Sequence, residues 1–136
     1  MIFQKNVPLF PYSTFKIGGP ARYFAAVTSP SEMEGALKYC HHNNIPFYIL
    51  GKGSNTLFDD RGFGGAVILN NITTFSQKED LFEVGSGYSF SKLGMQTAKK
   101  GYGGLEYAIG IPASVGGAVF MNAGAQGQEI GPLVES

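Results

Sequence analysis

The residues with the greatest chemical reach in this sequence lie in two glycine-rich segments. Gly51-Lys52-Gly53-Ser54-Asn55 offers main-chain N–H groups with little side-chain cover, neutral donors in Ser54 and Asn55, and one lysine. Successive amides of this kind form an anion-binding nest, and the chemistry they suit is retention of a phosphate or pyrophosphate. A tight turn after a buried strand would use the same residues, so the loop alone leaves both readings open. Two common nucleotide fingerprints fail here. G-x-G-x-x-G needs glycine where Thr56 stands, and a P-loop needs Ser or Thr where Gly53 follows Gly51-Lys52. The second segment, residues 103–125, carries no lysine or arginine. Any phosphate or carbonyl held there must be held by main-chain N–H groups and by side chains such as Ser114 and Asn122. Its small residues would let a flat ring lie against backbone, although a glycine-packed helix and strand pair would read alike.

Other constellations carry less. His41 and His42 are neighbours on one helical pattern, so their rings diverge by about 100°, and no second ligand cluster accompanies them. They are also the only histidines, and nothing places a nucleophile beside them. Asp59-Asp60 reads as a solvated turn before Gly62 in preference to an acid/base pair. Lysine plus arginine and aspartate plus glutamate each number 10, so no net field favours a polyanion, and nucleic acid is not an expected partner. The single cysteine, Cys40, and an N-terminus without a signal-peptide core point to the cytoplasm, and no apolar run approaches the ~18 residues of a membrane span.

The elements that must position these segments follow from periodicity and capping. With 136 residues, 43% of them hydrophobic and 15% charged, the chain can bury a real core. Arg22 to Val27 reads as a buried strand. Ser29-Pro30-Ser31-Glu32 then supplies an N-cap, a proline at the first helical position and a glutamate at the third. Met33, Ala36, Leu37 and Cys40 form one apolar stripe, and Phe47 to Leu50 is a second strand. Strand, helix and strand make a βαβ unit with parallel pairing and a right-handed crossover, which puts function at the strand's carboxyl end, where the first glycine loop begins. Ala66 to Leu69 closes this lobe. After a polar stretch, Leu81 to Val84 reads as a strand apolar on both faces, followed by a capped helix with Phe90, Leu93, Gly94 and Thr97 on one side and Gly101 just past its end. Residues from Gly101 onward alternate glycine with small apolar residues, the pattern of a buried stretch. Leu133 to Ser136 reads as the opening of another strand, and a fragment is the expectation.

Three segments in order carry a family resemblance: Ser13 to Ala21, with Ile17-Gly18-Gly19-Pro20 at its centre, Leu50 to Leu57, and Gly104 to Ala125. Together they closely resemble the UDP-N-acetylenolpyruvoylglucosamine reductase family, over nearly the whole chain. That resemblance implies an α+β, two-lobed FAD-binding fold of the vanillyl-alcohol-oxidase type. A small βαβ lobe with parallel strands would occupy residues 1–70, and a mixed-sheet lobe would begin at 71–136, incomplete and ahead of an absent substrate domain. It implies non-covalent FAD, its pyrophosphate on Leu50, Gly51, Lys52, Gly53, Ser54, Asn55 and Thr56. A second contact segment would run through Gly110, Ile111, Pro112, Ser114, Val115, Gly116, Gly117, Asn122, Ala123 and Gly124.

NADPH would be the reductant, and the substrate a UDP-sugar whose enolpyruvyl double bond is reduced to give UDP-N-acetylmuramate for peptidoglycan. The family's arginine, proton-donating serine and glutamate fall beyond Ser136, so no catalytic residue is expected within the chain, nor activity from it alone. A cytoplasmic monomer is expected. A non-catalytic flavin- or nucleotide-binding module of the same fold is the alternative. Two positions depart from the family pattern, Ala113 in place of glycine and Gln126 in place of tyrosine. The added methyl of Ala113 is tolerable if φ there is negative.

Overall fold

A computed structural model describes residues 3–13, 16–52, 58–122, 124–125 and 128–135. They belong to two units, residues 1–72 and 73–136. The first contains β1 (Gln4–Pro8), β2 (Pro20–Val27), α1 (Pro30–His42), β3 (Phe47–Leu50) and β4 (Phe63–Asn70). The sheet order is β1-β2-β4-β3, with β1 antiparallel to β2 and both β2 and β3 parallel to β4. The expected direct pairing of β2 with β3 is therefore replaced by insertion of β4 between them. Burial explains the order. Ala66, Val67 and Ile68 are apolar toward both faces and fully buried, which suits the centre of a sheet. β3 buries only Leu50 and takes the edge, with Phe47, Tyr48 and Ile49 exposed. β1 was not anticipated, because Gln4-Lys5-Asn6 has no apolar alternation; pairing with β2 makes it a strand.

The helix is capped as its sequence requires. Ser29 Oγ accepts the Glu32 N–H at 3.2 Å, and the Glu32 carboxylate accepts the Thr28 N–H at 3.0 Å. The stripe of α1 packs Ala36 and Cys40, flanked by Met33 and Leu37, onto Val27, Ala66, Ile68 and Ile72. Burial pushes the Cys40 thiol above its ordinary pKa, leaving it an unreactive core side chain. The other face of the sheet is covered by Leu9, which joins Ala21, Phe24, Leu50 and Val67, and Tyr12 stacks on Phe24 with ring centroids 4.9 Å apart.

The second unit begins with an antiparallel hairpin of β5 (Phe75–Lys78) and β6 (Leu81–Val84), turning at Glu79, whose φ is +55°. Only half of β6 is turned inward, so it is not the two-faced buried strand that Leu81 to Val84 suggested, and its partner β5 lay unseen in the polar stretch. α2 (Phe90–Lys99) starts at Ser89, whose Oγ accepts the Lys92 N–H at 3.2 Å, and Gly101 follows the helix with φ +87°. Phe90, Leu93, Gly94 and Thr97 are its buried face. A 3-10 turn (Glu106–Gly110), α3 (Val115–Phe120) and a short ribbon of β7 (Gly124–Ala125) and β8 (Gln128–Glu129) complete the unit. The fold is α+β, with the mixed sheet in the first unit and antiparallel ribbons in the second.

The stretch after Gly101 is less buried than its composition suggests. Tyr107, Ala108, Ser114, Ala118 and Ile130 are inside, whereas Phe120 is 88% exposed. Small residues can pack closely, but α3 fully buries only Ala118, with Val115 half-buried beside it. Leu133 to Ser136 was expected to open a strand; instead Leu133 ends a 3-10 turn (Gly131–Leu133), Val134 and Glu135 lie in no strand, and Ser136 is outside the described residues. No helix among the described residues is long and apolar enough to cross a membrane.

Two helical glycines should respond oppositely to alanine. A Cβ on Gly94 would lie 2.6 Å from the Leu105 carbonyl oxygen, whereas one on Gly35 meets nothing within 4 Å. Gly94→Ala should lower the urea midpoint by the equivalent of ~1–3 kcal/mol despite its better helix propensity, and Gly35→Ala should raise stability by ~0.5–1 kcal/mol.

Candidate functional site

In the first unit the parallel strands bring their carboxyl ends together, with Val27 beside Asn70 and Leu50 beside Leu69. Gly51 and Lys52 leave the sheet at that edge, where open α/β sheets hold their ligands. The Leu50 side chain is fully buried, so it anchors the loop and has only its main chain to offer a ligand. Gly53, Ser54, Asn55 and Thr56 lie outside the described residues.

The far leg of the loop is clamped by the first quoted motif. The Asp59 carbonyl accepts N–H groups from Gly19 and Gly62, each at 2.9 Å, and a Cβ on Gly19 would run into the Asp60 carbonyl. A Cβ on Gly18 would lie 2.9 Å from Phe58 Cβ. Gly18-Gly19 thus lets residues 58–62 lie directly on the backbone that precedes β2. The Asp59 carboxylate accepts from Arg61 Nε at 3.1 Å and Nη2 at 2.9 Å, and this side-chain bond, reinforced by the Arg61 main-chain N–H, holds its carboxyl below the usual range. Asp59 is therefore committed to a surface ion pair within the turn.

In the second unit the glycine-rich segment pairs with the residues that lead into α2. The Ala113 carbonyl accepts the Phe90 N–H at 2.9 Å, the Val115 N–H donates to the Tyr88 carbonyl at 2.8 Å, and the Gly116 N–H donates to the Ser86 carbonyl at 2.7 Å. Ser89 and Ser114 face each other as an antiparallel bridge. Sequence reasoning treated Gly85-Ser86-Gly87 only as a connector. Its supporting role depends on a partner about 30 residues away, which no local pattern reveals. The Tyr88 hydroxyl bonds Gln96 Oε1 and the Lys92 ammonium lies 5.4 Å from its ring centroid, which ties this connector to the first turns of α2.

The segment's candidate residues divide by surroundings. Ser114 is buried and its Oγ caps α3 by accepting the Gly117 N–H at 3.1 Å. A Cβ on Gly116 would lie 3.0 Å from both Ser86 Cβ and its carbonyl oxygen, so this glycine permits backbone packing. Gly110, Pro112, Gly117, Asn122 and Gly124 are exposed, Ile111 and Val115 are half-buried, and a Cβ on Gly110 meets nothing within 4 Å. Open backbone of this kind, in a segment with no lysine or arginine of its own, offers N–H and small-residue surface to a ligand. Ala113 does not have positive φ, so its methyl is unstrained. Ala123 and Gln126 lie outside the described residues.

Two further groups lie apart from these segments' open backbone. The Glu106 carboxylate accepts its own main-chain N–H and that of Gly104, and these bonds hold its pKa below the usual range. His41 and His42 end α1, exposed, with ring centroids 6.3 Å apart, and no group of three metal-ligating side chains occurs among the described residues.

A parallel-edge glycine loop in one unit and a cation-free small-residue segment in the other are joined by sequence evidence of kinship. A family model described as an FAD binding domain matches residues 21–135, and the chain belongs to that family. Among curated relatives, it is 56% identical over 128 residues to the UDP-N-acetylenolpyruvoylglucosamine reductase of Protochlamydia amoebophila (strain UWE25), covering 93% of this chain and 43% of the relative. It is 52% identical over 134 residues to that of Chlamydia abortus (strain DSM 27085 / S26/3), covering 98% and 45%. Among solved structures, it superposes on the UDP-N-acetylenolpyruvylglucosamine reductase (MurB) of Thermus caldophilus with a TM-score of 0.72 at 34% identity, covering 95% of this chain and 46% of that one. The chain thus spans less than half the length of these relatives.

The two glycines give contrasting tests. Gly116→Val should lower the thermal midpoint by the equivalent of ~1–3 kcal/mol, because its branches meet Ser86, while Gly110→Ala should stay within ~0.5 kcal/mol of the parent in the ligand-free chain. Low pH adds a third. Because the folded pKa of Glu106 is depressed, its contribution is present above the unfolded value and is lost as pH falls through the folded one. Glu106→Gln should flatten that part of the acid-unfolding profile.

Proposed function

We propose that these residues form the FAD-holding part of an NADPH-dependent reductase that converts the enolpyruvyl group of a UDP-sugar to the lactyl ether of UDP-N-acetylmuramate, a precursor of peptidoglycan. The observation that carries the reading is the 56% identity over 128 residues with a reductase of that name. The surroundings of the site are compatible with it. Residues 51–56 would hold the pyrophosphate through main-chain N–H groups, Ser54, Asn55 and the Lys52 ammonium, and Gly110, Ile111, Pro112, Gly117 and Gly124 would offer backbone and small side chains to the rest of the cofactor. When bound, FAD supplies hydride transfer, accepting from the nicotinamide and delivering to the double bond.

What the chain itself contributes is orientation. Absence of lysine and arginine from residues 101–136 leaves the second segment to bind through neutral groups, which hold a ligand without imposing a net charge on it. The buried Leu50 and the clamp at Gly19 fix the two ends of the first loop, reducing the ordering cost of binding. Binding is taken to be non-covalent, and a cytoplasmic monomer is the form proposed.

Purification under mild conditions followed by near-ultraviolet and visible absorbance, with FAD titrated into colourless protein, tests the reading. Flavin absorbance that is released on denaturation is expected. A folded chain that takes up no FAD contradicts it. Gly53→Val should weaken FAD about tenfold or more, by placing a branched side chain where backbone meets phosphate, and unchanged affinity would refute the pyrophosphate assignment.

A further inference from the structure

Asn122 ends α3 in a strained position that has a purpose within its own unit. Its N–H donates to the Val119 carbonyl at 3.1 Å, and its φ is +46°, the left-handed conformation that asparagine tolerates better than other side chains with a Cβ. From there its Oδ1 accepts the Gly131 N–H at 2.9 Å. The chain between these two residues contains the β7–β8 ribbon, in which Gly124 pairs with Glu129. It also contains Ile130, which is buried in the core with Phe90, Leu93, Tyr107 and Ala118. The bond from residue 122 to residue 131 therefore closes the base of the ribbon and ties the end of α3 to an anchored core residue.

Gly131 is matched to this bond. A Cβ on Gly131 would lie 2.8 Å from Asn122 Oδ1, closer than a carbon and an oxygen can sit without one moving. Its φ is not in the left-handed region, so the backbone there would accept alanine, and the obstacle is the asparagine oxygen alone.

We propose that Asn122 serves cofactor binding as a positioning residue, acting through the Gly131 N–H to hold the ribbon that carries Gly124, and that Gly131 is a determinant of the site although it touches no ligand. The inference rests on the flavin reading above. It assigns to the amide oxygen of Asn122 the work of an acceptor within the protein, and it predicts which substitutions will be tolerated. Aspartate keeps the acceptor and the tolerance for positive φ. Glycine keeps the conformation and loses the acceptor. A contact made to an anionic cofactor by the amide donors would give the reverse order, because aspartate removes those donors and adds a charge.

The test measures FAD affinity by titration for the parent, Asn122→Asp, Asn122→Gly, Gly131→Ala and the double variant Asn122→Gly/Gly131→Ala, with the thermal midpoint of each ligand-free protein recorded alongside. Positioning predicts binding within about threefold of the parent for Asn122→Asp and a loss of about tenfold for Asn122→Gly and for Gly131→Ala. The double variant should bind no more weakly than either single one, since the same bond cannot be lost twice. Asn122→Asp losing more affinity than Asn122→Gly overturns positioning in favour of direct contact. Parent-like binding by Asn122→Gly and Gly131→Ala, or additive losses in the double variant, overturns it as well. A parent chain that is folded yet takes up no FAD overturns the flavin reading itself and the positioning role with it, an outcome seen before any variant is compared.

Discussion

Main chain packed directly on main chain, at points where no side chain fits, is the constraint on which both units depend. In the first unit Gly19 lies against the Asp60 carbonyl and Gly65 against the Pro46 carbonyl. In the second, Gly94 lets α2 sit on the Leu105 carbonyl, and Gly116 lets the turn before α3 pair with Ser86. Such contacts bring peptide groups within hydrogen-bond reach of one another across elements that are distant in sequence. They account for Gly19, Gly65, Gly94 and Gly116 without invoking flexibility, because each stands where a Cβ would crowd its neighbour.

The same economy shapes the candidate site. A loop leaving a parallel sheet has free amides and can hold an anion, provided its two ends do not drift. Leu50 fixes one end by burial, and the Gly19 to Asp59 bond fixes the other. In the second unit residues 103–125 carry no lysine or arginine, and their one acidic side chain, Glu106, is bonded to main-chain N–H groups. The backbone of this segment is held by the hydrogen bonds of Ser114, Ser86 and Asn122. Residues closed in by neighbouring chain and residues open to solvent are thus interleaved in one stretch, and motif position alone does not separate them.

Not all of this was legible beforehand. α1 and α2 were, because an N-cap, an apolar stripe and a terminating Asn or Gly act within a few residues of one another. β1 and β5 were not, because their residues are mostly polar and become strands only by pairing with β2 and β6. The exposure of Phe120 in a segment that reads as buried has a similar origin. A six-residue helix turns only part of its circumference inward, here Val115 and Ala118, and hydrophobicity alone does not say which part.

Sequence by itself determined the class of architecture, the capped helices and the two glycine-rich segments that are candidates for a site. These follow from local chemistry: glycine spacing, the want of cations after Lys100, and capping residues beside apolar stripes. Tertiary structure alone decided that β4 would enter between β2 and β3, since the strand with two apolar faces gains most from the centre. It alone separated Gly116, closed in by Ser86, from Gly110, open to solvent, because what surrounds a glycine is set by chain many residues away. It likewise paired Asn122 with Gly131 across nine positions, a bond that exists only once Ile130 is buried and the ribbon has turned back on itself.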